Sequence, residues 1–292
     1  MASSRTRVNQ FKMNYNSAIN FASKILKKNL IKTASIDSEI ILSKTVNLTR
    51  EQILLNLNKK LSFKELKYFK KLLNRRKKKE PIAYILEKKE FWKQSYKINS
   101  NVLIPRPDTE IIVEEVLKHL PLSSSKSILE IGTGSGCIVL SVLSERKNCY
   151  AKALDISKKA LKVAECNAKI QHLRNRIKFI YSGIDKFCNG KYDIIISNPP
   201  YIKSASIKNL DEDVRLYEPR IALDGGYDGY SLIREVIKKS SYLLKNGGKL
   251  FLEIGFEQIN EVKKLLKDNH FYVNKIVKDL RKINRCIIST KI

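Results

Sequence analysis

The stretch SILEIGTGSG, residues 127–136, joins an apolar strand to a glycine-rich turn. The run SILEIG predicts a buried strand, and IVLSVLSER (138–146) directly after the glycines predicts a helix. Because glycine has no Cβ, Gly132, Gly134 and Gly136 let the backbone turn sharply and come close to a ligand. The stretch therefore predicts the ligand-binding edge of an α/β domain.

Strands and helices continue to alternate after this stretch. Strands are predicted at CYAKALDI (149–156), KFIYS (178–182), YDIIISN (192–198), GGKLFLEIG (247–255) and FYVNKIVKD (271–279). Helices are predicted at KKALKVAECNAKIQ (158–171), SLIREVIKKSSYLLKNG (231–247) and FEQINEVKKLLKDN (256–269). Parallel strands with covering helices need right-handed crossovers, so residues 106–292 predict a doubly wound α/β sheet.

The chain before this domain has a different pattern. Residues 1–88 predict four or five short helices, with Thr49 and Ser62 as N-caps, and they show no pattern of catalytic residues. We interpret them as a small all-helical domain that docks a substrate. Residues 89–105 include FWKQSYKINSNVLI, whose loose alternation predicts a β-hairpin linker.

The net charge is +28, from 57 Lys and Arg against 29 Asp and Glu. Such a charge attracts polyanions such as RNA or DNA, but it also arises from an A/T-rich genome. Because the lysines are spread along the whole chain, composition is the favoured explanation. We expect weak attraction to polyanions, no stable nucleic-acid partner and a monomer.

Cysteine and histidine usage argues against structural metals and disulfides. The five cysteines form no CxxC pair and the three histidines have no metal-ligand spacing, so no metal site is predicted. A reducing cytoplasm fits this pattern best. No apolar run approaches the roughly 20 residues of a membrane span. The first residues, MASSRTRVNQFK, lack the apolar segment of a secretory signal, and we expect a disordered tail.

The spacing of the glycines bears on the ligand. The loop is GxGxG after the acidic Glu130, whereas dinucleotide sites usually have GxGxxG and a pyrophosphate at the helix N-terminus. Asp155 ends the next strand, 19 residues beyond Gly136, where a carboxylate can accept both ribose hydroxyls. The loop looks like the S-adenosylmethionine motif of class I methyltransferases. A dinucleotide enzyme and a purely structural glycine turn are the alternatives.

The second motif is the tetrapeptide Asn198-Pro199-Pro200-Tyr201 at the end of a predicted buried strand. An amide nitrogen is a poor nucleophile, and two acceptors on its hydrogens would orient it and stabilise developing charge. The side-chain oxygen of Asn198 and the carbonyl of Pro199 can be those acceptors. The prolines restrict the backbone, and Tyr201 offers a flat face for stacking. A strand that merely ends in a polar turn is the alternative.

Together the motifs resemble the release-factor glutamine methyltransferases, the PrmC/HemK family. The similarity includes LIPRPDTE (103–110), DEDVRLYEPRIALDGGYDG (211–229), LEIGFEQ (252–258) and KDLRKINRC (278–286). It implies a class I S-adenosylmethionine-dependent methyltransferase fold, Rossmann-like with a seven-stranded sheet, behind a small all-helical N-terminal domain. It also implies N5-methylation of the glutamine in the Gly-Gly-Gln loop of class 1 peptide chain release factors.

The resemblance also implies the site residues. S-adenosyl-L-methionine is expected at Glu130, Gly132, Thr133, Gly134, Ser135, Gly136, Asp155, Gly183 and Asn198. The substrate amide is expected at Asn198 to Tyr201, with Asn198 and Pro199 as the catalytic acceptors.

One segment departs from the family. An acidic residue followed by a large apolar one is usual after the third strand, but this chain has Ser182-Gly183-Ile184-Asp185. Ile184 and Phe187 are both candidates for the adenine contact.

Two other functions fit parts of the sequence. A nucleic-acid adenine N6-methyltransferase uses the same tetrapeptide on an exocyclic amine, and the positive charge would suit it. However, nothing in the helical domain marks an element that reads a DNA groove. A non-enzymatic binding protein with a vestigial fold would be expected to lose the loop, Asp155 or the tetrapeptide, and all three are intact.

Overall fold

The computed structural model describes residues 13–292, and these form two units. One unit runs to Glu87 and also includes Glu212–Tyr217. The other comprises Lys88–Asp211 and Glu218–Ile292. The predicted disordered tail, MASSRTRVNQFK, lies outside the described residues.

The N-terminal unit is built from helices. They are α1 (Tyr15–Lys28), α2 (Ala34–Val46), α3 (Arg50–Leu54), α4 (Phe63–Lys77), α5 (Ile82–Leu86) and, after a long gap in sequence, α9 (Glu212–Tyr217). Thr49 and Ser62 both form complete capping boxes, which confirms the predicted starts of α3 and α4. A buried ion pair between Asp37 and Arg76, 2.7 Å long, joins α2 to α4.

Helix α9 belongs to the helical unit although its neighbours in sequence belong to the other unit. The Tyr217 hydroxyl donates to the Lys78 carbonyl at 2.6 Å, and Lys79 lies 3.7 Å from Glu212. No local pattern predicts this grouping, because the contacts join residues far apart in the chain.

The second unit contains a hairpin and a large sheet. The hairpin is β1 (Lys88–Phe91) and β2 (Gln94–Lys97). The sheet strands are β3 (Ser127–Ile131), β4 (Tyr150–Asp155), β5 (Ile177–Tyr181), β6 (Tyr192–Ser197), β7 (Leu244–Glu253), β8 (Phe271–Lys278) and β9 (Asn284–Lys291). The helices are α6 (Glu110–Lys118), α7 (Cys137–Glu145), α8 (Lys158–Ile170), α10 (Ser231–Leu243) and α11 (Ile259–Asp268).

The sheet has seven strands in the order β5-β4-β3-β6-β7-β9-β8. The first five are parallel, and β9 runs antiparallel to β7 and β8. This confirms the Rossmann-like α/β prediction. Strand β9 itself was not predicted, and the helix predicted over 231–247 ends at Leu243, because Leu244 pairs with Tyr192 and begins β7.

Apolar side chains between the sheet and its helices form the core of this unit. Fully buried members include Leu129, Ile195, Leu250 and Ile287 from four neighbouring strands, with Ile237 from α10. Among residues 13–292, no helix has both the length and the hydropathy needed to cross a lipid bilayer.

Candidate active site

Strand register places the two sequence motifs side by side. Ile131, the last residue of β3, pairs with Leu154 of β4 on one side and Ser197 of β6 on the other. The carboxyl ends of these parallel strands therefore meet at one edge of the sheet, where ligands of open α/β sheets bind. The glycine loop, Asp155 and Asn198 each follow one of these strand ends.

The glycine loop turns with three left-handed residues. Gly132, Gly134 and Gly136 have φ of +74°, +55° and +79°, a region that side chains rarely adopt. A Cβ on Gly136 would lie 3.0 Å from Cδ1 of Leu140 and 3.3 Å from Cβ of Ala164. Gly136 is therefore required for the close approach of α7 to α8, while Gly132 and Gly134 face open space.

Glu130 supports this loop from below. The residue is 1% exposed, its carboxyl accepts a hydrogen bond from the Thr133 hydroxyl, and Val139 N donates to it at 3.3 Å. The second bond satisfies a free N–H in the first turn of α7. Burial raises the pKa of Glu130 to about 8, against the opposing effect of these two hydrogen bonds.

Asp155 is held in place by backbone donors. Gly134 N donates to its Oδ2 at 2.9 Å and Ser157 N donates to its Oδ1 at 2.8 Å. Burial raises its pKa, although these bonds act in the opposite direction. Each carboxylate oxygen keeps a second lone pair, so the side chain can still accept hydrogen bonds from a ligand.

A cavity of about 660 Å³ opens at this sheet edge. Its volume is within the range usual for small-molecule sites, roughly 300–1,000 Å³. The predicted site residues that line it are Gly132, Thr133, Gly134, Ser135, Asp155, Gly183, Asn198 and Pro200.

The remaining predicted site residues are next in sequence to lining residues and are not part of the lining themselves. They are Glu130, Gly136, Pro199 and Tyr201. Pro199 is buried, and the partly buried Tyr201 ring packs against the core of the unit. Glu130 and Tyr201 therefore support the loop and the tetrapeptide, and their contacts with a ligand stay predictions.

The side-chain amide of Asn198 lies next to the polar side chains of Thr109 and Glu253. Its Nδ2 donates to the Thr109 hydroxyl at 3.4 Å. Next to both is Glu253, at the end of β7, which is 4% exposed. The Tyr201 hydroxyl donates to Oε1 of Glu253 at 3.5 Å.

Electrostatics around Glu253 are dominated by burial. Burial raises its pKa to about 7, while Thr109, the positive charge of Arg285 and Asn198 oppose the increase. Burial also raises the pKa of the Tyr201 hydroxyl, and the negative charge of Glu253 adds to that effect.

The segments that carried the family resemblance turn out to support the tetrapeptide and the loop before α6. Glu218, from the Glu-Pro-Arg run, accepts from Ile104 N at 3.1 Å and from Arg106 at 2.5 Å. A Cβ on Gly225 would lie 2.8 Å from Cα of Tyr201 and 2.9 Å from the carbonyl oxygen of Pro200. The glycine allows the two loops to touch.

Two groups of functional residues were missed by the sequence analysis. Asn167 of α8 is fully buried and bonds to both Lys97 N and Ser135 O, so it connects the hairpin to the glycine loop. Ile156 lines the cavity; of the two adenine candidates named from the sequence, Ile184 lines the cavity and Phe187 does not, although both also pack in the core. The one sequence signal for Ile156 is its position directly after Asp155, at the end of a predicted strand.

Two family models match separate parts of the chain. Residues 17–86 match the family model described as the PrmC N-terminal domain. Residues 109–215 match the model described as the methyltransferase small domain.

Similar proteins cover nearly the whole chain. A release factor glutamine methyltransferase from Caulobacter vibrioides is 38% identical over 272 residues, which is 91% of this chain and 92% of that protein. One from Clostridium acetobutylicum is 37% identical over 87% of this chain and 90% of its own length. The chain belongs to the release factor glutamine methyltransferase family. The predicted family is thereby confirmed.

A solved structure agrees on the fold. A methyltransferase from Pyrococcus furiosus aligns over 67% of this chain and 88% of its own, with a TM-score of 0.51 and 20% identity. At that identity the similarity concerns the architecture of the α/β unit alone.

The cavity fits the cofactor that methyltransferases generally use, S-adenosylmethionine. Open space above Gly132 and Gly134 admits a ligand against the backbone, which a side chain there would block. Asp155 offers a carboxylate for ribose hydroxyls, and the exposed Ile156 offers an apolar surface for a flat base. When bound, the cofactor supplies an electrophilic methyl group.

Replacing Asp155 with Ala tests the ribose contact. We expect the dissociation constant for S-adenosylmethionine, measured by calorimetry, to rise by about tenfold or more, because charged hydrogen bonds contribute about 1.5–3 kcal/mol. Asp268→Ala removes the same charge from the exposed end of α11 and is the control. An unchanged constant in Asp155→Ala would show that Asp155 is not the ribose ligand.

Replacing Glu130 with Gln tests the buried acid under the loop. Between its ordinary value of 4.5 and about 8, the folded protein keeps a proton that the unfolded chain has released. The contribution of Glu130 to the free energy of unfolding is therefore full below pH 4.5. It is lost as the pH rises toward 8, at up to about 1.4 kcal/mol per pH unit.

The free energy of unfolding in urea, measured from pH 5 to 9, should therefore fall less steeply in Glu130→Gln than in the wild type. The exposed Glu257→Gln should follow the wild type. Parallel curves for Glu130→Gln and the wild type would contradict this account of Glu130.

Proposed function

We propose that this chain transfers a methyl group from S-adenosylmethionine to the side-chain amide nitrogen of the glutamine in the Gly-Gly-Gln loop of class 1 release factors. The names of its relatives supply the release factor and the glutamine as substrate. The position of that glutamine in the Gly-Gly-Gln loop is implied by the resemblance of the sequence motifs to the family.

The orientation of Asn198 is the observation that carries the proposal. Its Nδ2 is engaged by Thr109, and the residue lines the cavity that contains Asp155 and the glycine loop. With its amide hydrogens turned toward Thr109, Asn198 keeps Oδ1 as an acceptor for a substrate. A neutral amide carries two N–H donors, one of which such an acceptor can bind.

The chemistry then depends on acceptors rather than on a strong base. We assign Oδ1 of Asn198 and the carbonyl of Pro199 as the two acceptors for the hydrogens of the glutamine amide. Both strengthen their hydrogen bonds as the nitrogen gains positive charge, which is stabilisation of the transition state over the ground state. The buried Pro199 and its neighbour Pro200 keep the two acceptors at a fixed spacing.

For the cofactor we propose a division of contacts along the cavity. Asp155 binds the ribose, and the backbone of Gly132 to Gly134 faces the rest of the nucleoside and the amino-acid end. Ile156 and Ile184 cover the faces of the adenine, and Asp185 accepts from its exocyclic amine. Support comes from their common position on the cavity wall.

The helical unit is proposed to dock the release factor. It matches the family's N-terminal domain, and its described residues include no group of three or more His, Cys, Asp or Glu that could hold a metal ion. We further propose a monomer with no stable nucleic-acid partner. A release-factor substrate would place the enzyme in the cytoplasm, where translation ends.

A competition assay tests the substrate. Radiolabelled S-adenosylmethionine is added to a tube containing an unmodified class 1 release factor and duplex DNA, and a parallel tube contains the release factor with its loop glutamine replaced. We expect label on the release factor that disappears with the glutamine. Label on the DNA alone would instead support an adenine N6-methyltransferase, for which the +28 charge is the favouring observation.

Replacing Asn198 with Ala tests the acceptor role in the same assay. We expect kcat to fall by a factor equivalent to about 2–4 kcal/mol of transition-state stabilisation, with the cofactor dissociation constant less affected. Asn148→Ala, at the exposed loop before β4 on the opposite sheet edge, is the control. Turnover of Asn198→Ala equal to that control would refute the assignment.

A further inference from the structure

Glu253 is a buried carboxylate that lies next to the tetrapeptide but does not line the cavity. Its Oε1 accepts from the Tyr201 hydroxyl, and its Oε2 has no hydrogen-bond partner among residues 13–292. The side chains of Thr109 and Asn198, which both line the cavity, nevertheless lie close enough to Glu253 to lower its pKa, so this buried acceptor acts on two residues of the cavity wall.

The donors and acceptors around Thr109 indicate how Glu253 acts on Asn198. A threonine hydroxyl has a single proton. When its oxygen accepts from Nδ2 of Asn198, as observed at 3.4 Å, that proton must point to another acceptor. Thr109 and Asn198 are both close enough to Glu253 to stabilise the carboxylate charge, so Glu253 is the acceptor next to the Thr109 hydroxyl.

We propose that Glu253 is a positioning residue: as an acceptor it draws the Thr109 proton, which leaves the Thr109 oxygen free to accept from Nδ2 of Asn198. Asn198 is thereby fixed with Oδ1 available to the substrate. This inference rests on the proposed role of Asn198. A group able to donate at position 253 would let Thr109 donate to Asn198, which would favour the flipped amide with Nδ2 in the cavity.

The same arrangement predicts a pH dependence. Burial raises the pKa of Glu253 to about 7. Protonation below that value gives Glu253 a hydrogen to donate, so activity should fall as the pH drops through this range.

Several charged and titratable groups face Glu253. Arg285 carries a positive charge and opposes the raised pKa, whereas Asp108 adds a negative charge and supports it. Burial raises the pKa values of the Tyr201 hydroxyl and of the Cys137 and Cys286 thiols, so these remain protonated near neutral pH.

Glu253→Gln is the most direct test because it keeps the shape but adds a donor. We expect kcat for release-factor methylation to fall by about tenfold or more, with the dissociation constant for S-adenosylmethionine changed by less than about threefold. The acid limb of the pH–kcat profile should disappear. A purely structural Glu253 would leave that limb in place.

A matched pair at Thr109 tests the relay without changing the acid. Thr109→Val removes the hydroxyl and should lower kcat by a similar factor, about tenfold. Thr109→Ser retains the hydroxyl and should stay within about threefold of the wild type. If Glu253→Gln fails to fold, as judged by circular dichroism and thermal melting, this pair decides the question.

The Asn198→Ala variant, assayed beside these, separates two kinds of failure. If Asn198→Ala is inactive but Glu253→Gln and Thr109→Val turn over at the wild-type rate with an unchanged pH profile, the relay is overturned and the proposed function stands. If Asn198→Ala itself is fully active, the acceptor role fails and the relay fails with it. Loss of activity in Glu253→Gln and Thr109→Val, with retention in Thr109→Ser, supports the relay.

Discussion

The parallel register of β3, β4 and β6 brings three strand ends to one edge of the sheet. Everything in the site depends on this alignment, because the three loops that follow are far apart in sequence and adjacent only here. The glycine loop follows β3, Asp155 ends β4 and Asn198 follows β6. A cofactor held by the first two therefore lies next to the acceptor that would hold the substrate nitrogen.

Around this edge, buried polar groups fix the orientation of the residues that line the cavity. Glu130 bonds to the glycine loop and to the first turn of α7, while Glu218 holds the loop before α6. Glu253 lies behind Asn198 and Thr109. Placing three carboxyl groups in a protein interior is costly unless each is hydrogen-bonded, and each of these three contacts a segment of the site.

Local patterns carried most of the fold prediction. Apolar runs of strand length and amphipathic helices gave the Rossmann-like sheet, and capping residues gave the starts of two helices. Strand β9 (Asn284–Lys291) was missed because it follows a loop rich in charged residues and is defined by its antiparallel pairing with β7 and β8. Such pairing depends on distant residues and leaves little signal in the strand itself.

The same limit applies to the site. Gly132, Asp155 and Asn198 were predicted because short motifs place them at strand ends, and they line one cavity. The stacking role of Tyr201 stays a prediction, whereas the packing of its ring against the core and the bond from its hydroxyl to Glu253 were not predicted. The environment of Glu253 comes from segments more than 30 residues away, so no local pattern could indicate its importance.

We propose that Oδ1 of Asn198 and the carbonyl oxygen of Pro199 accept hydrogen bonds from the two hydrogens of a glutamine amide at the cavity edge. A crystal structure with S-adenosylhomocysteine and a peptide containing the release-factor Gly-Gly-Gln loop tests it most directly. We expect the glutamine nitrogen at about 2.9 Å from both Oδ1 of Asn198 and the carbonyl oxygen of Pro199. A glutamine nitrogen bound to other groups, or an Asn198 that presents its Nδ2 to the substrate, would contradict it.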